Sequence, residues 1–117
     1  RVYIQSIFNS YGTASFVSNE AIYGGAVHID ESNAVFEGET LFENNTASVG
    51  GAIRLKAQST LNSYGTASFV SNEAESGGAI SFEDSEVNFF GNFSFEGNHA
   101  NRTGGAIDLD DGSIVHI

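Results

Sequence analysis

The chain contains no cysteine, no proline and no methionine, and only four of its 117 residues are Lys or Arg. Without cysteine there is no disulfide framework and no thiolate zinc site, so an extracellular existence must rest on packing alone. The four basic residues stand against fifteen acidic ones, a formal net charge of −11. That balance excludes nucleic acid, whose phosphates need a basic footprint. It also excludes attraction to an anionic membrane surface. There is no signal peptide and no apolar run long enough to cross a bilayer, so no direct membrane insertion is expected of these residues. The start at Arg1 and the absence of methionine predict a piece of a longer or processed protein.

What the chain does have is glycine, 14 residues, and phenylalanine, 10 residues. Disordered glycine-rich chains lack such an aromatic content, so a folded, β-rich body is expected. Two short signatures recur. One is Phe-x-x-Asn, at Phe16/Asn19, Phe42/Asn45, Phe69/Asn72 and Phe95/Asn98. The other is a glycine pair followed by alanine, at Gly24-Gly25, Gly50-Gly51, Gly77-Gly78 and Gly104-Gly105. Successive pairs begin 26, 27 and 27 residues apart. Such a period marks a solenoid or another repeat array.

After each Gly-Gly-Ala, apolar and polar residues alternate: Val27-His28-Ile29-Asp30, Ile53-Arg54-Leu55-Lys56, Ile80-Ser81-Phe82-Glu83 and Ile107-Asp108-Leu109-Asp110. Period two predicts a strand with one buried face. A polar turn follows at Ser32, Ser59, Ser85 and Gly112-Ser113. A second strand uses Ala34 and Phe36, Leu61, or Val87 and Phe89, and ends near Gly12, Gly38, Gly65 or Gly91. A third short segment runs through Ala14, Thr40, Ala67 or Phe93 to the signature phenylalanine, then turns at the asparagine.

Two or three short strands per 26–27 residues predict an all-β fold, a parallel β-helix (β-solenoid) of about four coils. Residues 1–117 then form a single segment of a longer repeat protein, with coils divided near Gly24, Gly50, Gly77 and Gly104. Equivalent strands lie roughly 4.8 Å apart, so like stacks on like. Phenylalanines are expected to stack inside and asparagines to form an amide ladder at one corner. Glycine pairs are expected at a sharp corner. One coil cannot offset its ordering entropy; stacked coils can.

Residues 9–21 and 62–74 share the sequence NSYGTASFVSNEA, two coils apart. Duplication of a two-coil unit explains this, and so does a need for matched surfaces on alternate coils. Outward positions of the first strand form two rows: His28, Arg54, Ser81, Asp108, and Asp30, Lys56, Glu83, Asp110. The second row alternates in sign through its first three members and is read as a solvated, register-setting face.

Candidate chemistry is sparse. Asp108, Asp110 and Asp111 with Glu83 and Asp84 supply oxygens of the kind Ca²⁺ takes, but no calcium-loop motif accompanies them. His28, His99 and His116 have no metal-ligand spacing. Polysaccharide cleavage needs carboxylates with a basic residue nearby, and only Arg54 and Lys56 are neighbours. No cofactor and no catalysis are therefore expected. Ice binding needs a flat threonine array, which the charged, mixed rows do not provide. Asn44, Asn92 and Asn101 head N-glycosylation sequons at positions expected to face outward.

The alternating Phe-x-x-Asn and Gly-Gly-Ala-(Ile/Val) signatures resemble the chlamydial polymorphic membrane protein repeat. The resemblance covers nearly the whole chain. It implies a right-handed parallel β-helix, the passenger of a surface-displayed autotransporter, extracellular or at the cell surface, acting in adhesion to a receptor on a host or neighbouring cell. In that family the repeat motifs themselves are implicated in adhesion. The alternatives are a structural subunit of an extracellular filament, self-associating end to end, and more remotely a polysaccharide-active enzyme.

Overall fold

A computed structural model describes residues 2–4, 7–109 and 112–116, with the backbone alone at 2–4. Asp110, Asp111 and Arg1 lie outside the described residues. The short alternating runs become strands of three to five residues, and no helix occurs among the described residues. The first level of the solenoid holds β1 (Val2–Ile4), β2 (Ile7–Ser10), β3 (Ala14–Val17) and β4 (Glu20–Tyr23). The second holds β5 (Val27–Asp30), β6 (Asn33–Phe36), β7 (Thr40–Glu43) and β8 (Thr46–Val49). The third holds β9 (Ile53–Lys56), β10 (Thr60–Ser63), β11 (Ala67–Val70) and β12 (Glu73–Ser76). The fourth holds β13 (Ile80–Phe82), β14 (Glu86–Phe89), β15 (Phe93–Glu96) and β16 (His99–Thr103). β17 (Ile107–Leu109) and β18 (Ile114–His116) begin a fifth.

Each level therefore carries four strands, not two or three. Every strand pairs in parallel with its counterparts above and below, giving a first sheet β1-β5-β9-β13-β17 and a second β2-β6-β10-β14-β18. The third is β3-β7-β11-β15 and the fourth β4-β8-β12-β16. The fourth strand escaped the sequence reading because its buried contribution is small. Of its residues only the small side chains of Ala47 and Ala74 are buried, too little apolar alternation to stand out.

Alternation places one set of side chains inside the tube. Val27, Ile53 and Ile80, then Ile29, Leu55 and Phe82, are fully buried on the first sheet. On the third sheet the signature phenylalanines form one column. Phe16, Phe42, Phe69 and Phe95 stack with centroids 5.0, 4.8 and 4.7 Å apart and planes within 10° of parallel. Offset-stacked rings contribute about 0.5–1.5 kcal/mol per pair beyond area burial.

The core explains the two-level period. The second sheet's last inward position reads Ser10, Phe36, Ser63, Phe89 in register. Phe36 meets both Phe16 and Phe42 edge-on, at 6.4 and 6.1 Å. Phe89 meets Phe69 and Phe95 the same way, at 6.4 and 6.2 Å. Each of these rings serves two levels and uses the room a serine leaves beside it. Ser63 itself is buried, and its hydroxyl finds no hydrogen-bond partner. Burying a hydroxyl unpaired costs about 1–3 kcal/mol. Ser63→Ala is therefore expected to raise the urea midpoint. Ser63→Phe, which copies the neighbouring levels, is expected to lower it, because overpacking costs about 1–3 kcal/mol. A stable Ser63→Phe protein would refute this account of the alternation.

Length differences between coils are absorbed at two places. Between the first and second sheets, Glu31 and Asp84 are single left-handed residues, with φ of 48° and 46°. The third level uses two there, Ala57 and Gln58, with φ of 57° and 62°. The fourth level gains its extra residue as an irregularity within β16, between the partners of Ala74 and Ser76.

Candidate functional site

The repeat signatures form the wall and the interior, not a surface. Asn45 and Asn72 are fully buried. The Asn19 backbone N–H and side-chain amide both donate to Asn45 Oδ1, each at 3.0 Å. Asn45 does the same to Asn72 Oδ1 at 3.0 and 2.9 Å, and Asn72 to Asn98 Oδ1 at 3.0 and 2.9 Å. The second amide proton of Asn45, Asn72 and Asn98 goes to the carbonyl of Phe16, Phe42 and Phe69 one level back, at 2.9–3.0 Å. The ladder thus ties the turn, the level ahead and the level behind.

A second ladder runs through the serine turn. Ser32 N–H donates to Ser59 Oγ at 3.2 Å, and Ser59 N–H to Ser85 Oγ at 3.1 Å. Each hydroxyl donates in turn to a carbonyl of its own turn, Ser59 Oγ to Lys56 O at 2.6 Å and Ser85 Oγ to Glu83 O at 2.8 Å. The recurrence of serine at 32, 59, 85 and 113 signals the position, but bridging to the next level is visible only in coordinates.

The glycine pairs divide their work. Gly24, Gly50, Gly77 and Gly104 all have positive φ, between 54° and 66°. Gly25, Gly51 and Gly78 instead have no room: a Cβ there would strike the carbonyl oxygen of the second glycine one level on. None of these glycines can carry a side chain toward a ligand.

Outside this corner the first outward row is largely covered. His28 and Ser81 are buried, and Arg54 keeps only 11% of its side chain exposed. Tyr23 at the end of β4 lies over His28, centroids 5.9 Å apart. Thr103 donates to Asp108 Oδ2 at 3.0 Å. Strand alternation distinguishes inside from outside the tube but carries no sign of what covers the outer side.

The second outward row pairs by charge within itself and with the first. Lys56 Nζ lies 3.4 Å from Asp30, and Arg54 Nη2 lies 2.7 Å from Glu83. Tyr23, Arg54, Lys56 and Glu83 border a concavity of about 220 Å³. Glu83 and Asp108, placed together with Asp84 by the sequence as oxygen donors, take separate partners. Among the described residues no three metal-ligand side chains converge. The histidines are likewise dispersed: His99 bonds Asn101 at 3.0 Å and His116 faces Glu86 at 3.5 Å. Asn44, Asn92 and Asn101 are all exposed.

Acidic side chains follow a rule of their own. In the registered strand pairs no carboxylate stands directly above another. Glu43 lies between Val17 and Val70, and Thr46 lies between Glu20 and Glu73. Like charges on adjacent strands are destabilising, so a strongly acidic solenoid must interleave them. The two-level sequence period achieves this on the third and fourth sheets.

Other surfaces are open. On the third sheet, Thr13, Ser15, Glu39, Leu41, Thr66 and Ser68 border a shallow concavity of about 330 Å³. At the corner before the third sheet, Tyr64 and Phe90 stack in solvent, centroids 4.8 Å apart.

The chain shares its repeat with one described family. The model of the Chlamydia polymorphic membrane protein repeat matches residues 39–56 and 92–109. Each match runs from the start of a third-sheet strand, through the asparagine ladder and the glycine pair, into the next first-sheet strand. No curated protein and no solved structure matches. The chain is a β-solenoid in which two stretches match the Chlamydia polymorphic membrane protein repeat.

Proposed function

We propose that this segment is displayed at a cell surface and acts in adhesion, without catalysis. The observation that carries the reading is the division of labour along each strand. Residues that define the repeat are buried in columns, and the outward positions are held in fixed register while differing from level to level. That is a rigid support for contact with another macromolecule. The repeat family, named for membrane proteins of a bacterial cell envelope, supports the location. The buried Phe-x-x-Asn side chains then serve adhesion by positioning the outer rows, not by touching a receptor. The pairing of Arg54 with Glu83 and of Lys56 with Asp30 supports a structural role for the outer corner.

A competition assay tests the reading. The purified 117-residue chain is expected to block attachment of cells that carry the protein, in a dose-dependent way. An unfolded variant at equal concentration is expected not to. Equal attachment with and without the folded chain would sink it. A structural filament is the second reading, favoured by the identical segments on alternate levels. It predicts polymers by electron microscopy, where the adhesin predicts single particles.

A further inference from the structure

We propose that the outer face of the third sheet is a docking strip for an extended basic segment of a partner protein, centred on β7, with Glu39, Leu41 and Glu43 as its three anchor positions. The proposal names the partner chemistry of the adhesion reading and rests on that reading for its biological setting.

Thr40 and Phe42 are buried in the tube, so alternation turns Glu39, Leu41 and Glu43 outward along one level. Residues two apart on a strand are about 6.6–6.8 Å apart, so the two carboxylates stand about 13 Å from each other with Leu41 midway. At that distance they are separate anchors, not one cation site. An extended peptide has the same repeat. Basic, apolar and basic side chains at alternate positions would meet glutamate, leucine and glutamate in turn.

The strip has a frame. Ser15 and Ser68 lie in register on either side of Leu41, and Val17 and Val70 on either side of Glu43. These belong to the two identical segments, 9–21 and 62–74. A strand lying along the second level therefore meets the same side chains on both flanks. The serines are short, which leaves Leu41 half-buried on the floor of the 330 Å³ concavity. It is the one large apolar side chain in a row that otherwise reads Ser15, Ser68, Ser94.

Charge selects the occupant. Arg54 and Lys56 lie on the first sheet in ion pairs, and Arg102 lies on the fourth. Among the described residues no ion pair reaches Glu39 or Glu43. The net charge of −11 adds long-range attraction for a cationic partner and repels an anionic one.

The test uses a fluorescein-labelled peptide with arginine, valine and arginine at alternate positions and threonines between, followed by anisotropy at low ionic strength. The full 117-residue chain is compared with Glu39→Gln/Glu43→Gln, with Leu41→Ser, and with Glu20→Gln/Glu73→Gln on the fourth sheet as a control of equal charge change. Urea midpoints verify that all four are folded. The expected result is a loss of about tenfold or more for Glu39→Gln/Glu43→Gln, a clear loss for Leu41→Ser, and less than about twofold for the control. An equal loss in the control would mean unspecific attraction to a polyanion and overturn the strip. So would the absence of any peptide binding, or an unchanged affinity in Leu41→Ser. Binding of a neutral oligosaccharide that ignores Glu39→Gln/Glu43→Gln would assign the face to a glycan and overturn it too. The two readings separate cleanly. If Glu39→Gln/Glu43→Gln blocks cell attachment as well as wild type, the strip fails and adhesion stands. If wild type binds the peptide but blocks no attachment, adhesion fails and the strip stands.

Discussion

Gly51→Ala is expected to abolish the cooperative fold of the 117-residue chain, while Gly105→Ala leaves it intact. Both are second glycines of the same signature. At Gly51 a Cβ would lie 2.7 Å from Glu73 O and 2.8 Å from Glu73 N, and would run into the Gly78 carbonyl oxygen. All three obstacles are backbone atoms of the next level, so no side chain can swing aside. Relief requires prising two levels apart, which breaks the parallel ladder near the corner. A cost above about 4 kcal/mol is the scale of such disruptions, a large share of the whole stability of a small domain. At Gly105 nothing stands within 4 Å of the same atom. Urea denaturation of the two variants decides the matter. Similar midpoints would show that the glycine column is not held by lack of space.

Asn72→Ala is expected to cost about 3–5 kcal/mol, and Asn19→Ala only about 1 kcal/mol. The Asn72 side chain accepts from the Asn45 N–H and the Asn45 amide, and donates to Phe42 O and Asn98 Oδ1. Its removal strips the Asn45 N–H of its partner inside the wall, where water cannot replace it. The Asn19 amide donates to Asn45 Oδ1 and, at 3.4 Å, to Val17 O, and Asn45 Oδ1 keeps the Asn19 N–H when that side chain goes. Asn72→Asp carries a pH signature that Asn72→Ala lacks. Burial raises the pKa of the introduced carboxyl above its unfolded value of about 3.9. Its folded form therefore holds a proton that the unfolded chain loses as pH rises. The penalty relative to wild type is smallest below pH 4 and grows on going toward neutral. A penalty independent of pH would mean that the site is open to water.

The sequence made the columns legible for a physical reason. In a parallel solenoid a residue's main neighbours are its own equivalents one coil away, so identity at a fixed period reports contact directly. Phe42 between Phe16 and Phe69, or Asn45 between Asn19 and Asn72, needs no other information. The fourth strand lacked that signal because alanine is common enough to pass unnoticed. The covered state of His28 and Arg54 was not legible either. It depends on side chains of the neighbouring fourth sheet, such as Tyr23 against His28, which alternation along one strand does not reveal. The outer face of the third sheet was half legible: the duplicated segments were evident, but only the register shows that they flank Glu39, Leu41 and Glu43. Residue type alone left the acidic side chains as a solvated exterior. Placement turns them into an interleaved pattern.

The serine–phenylalanine alternation between Ser10, Phe36, Ser63 and Phe89 has an evolutionary corollary. Unequal crossing-over within such a gene that removed or inserted one coil would bring two large rings, or two small hydroxyls, into the same gap. On the third sheet it would also set glutamates against glutamates. Exchanges of an even number of coils escape both penalties. Inheritance of this array is therefore expected to proceed by doublets, and the shared segments at 9–21 and 62–74 fit one such event.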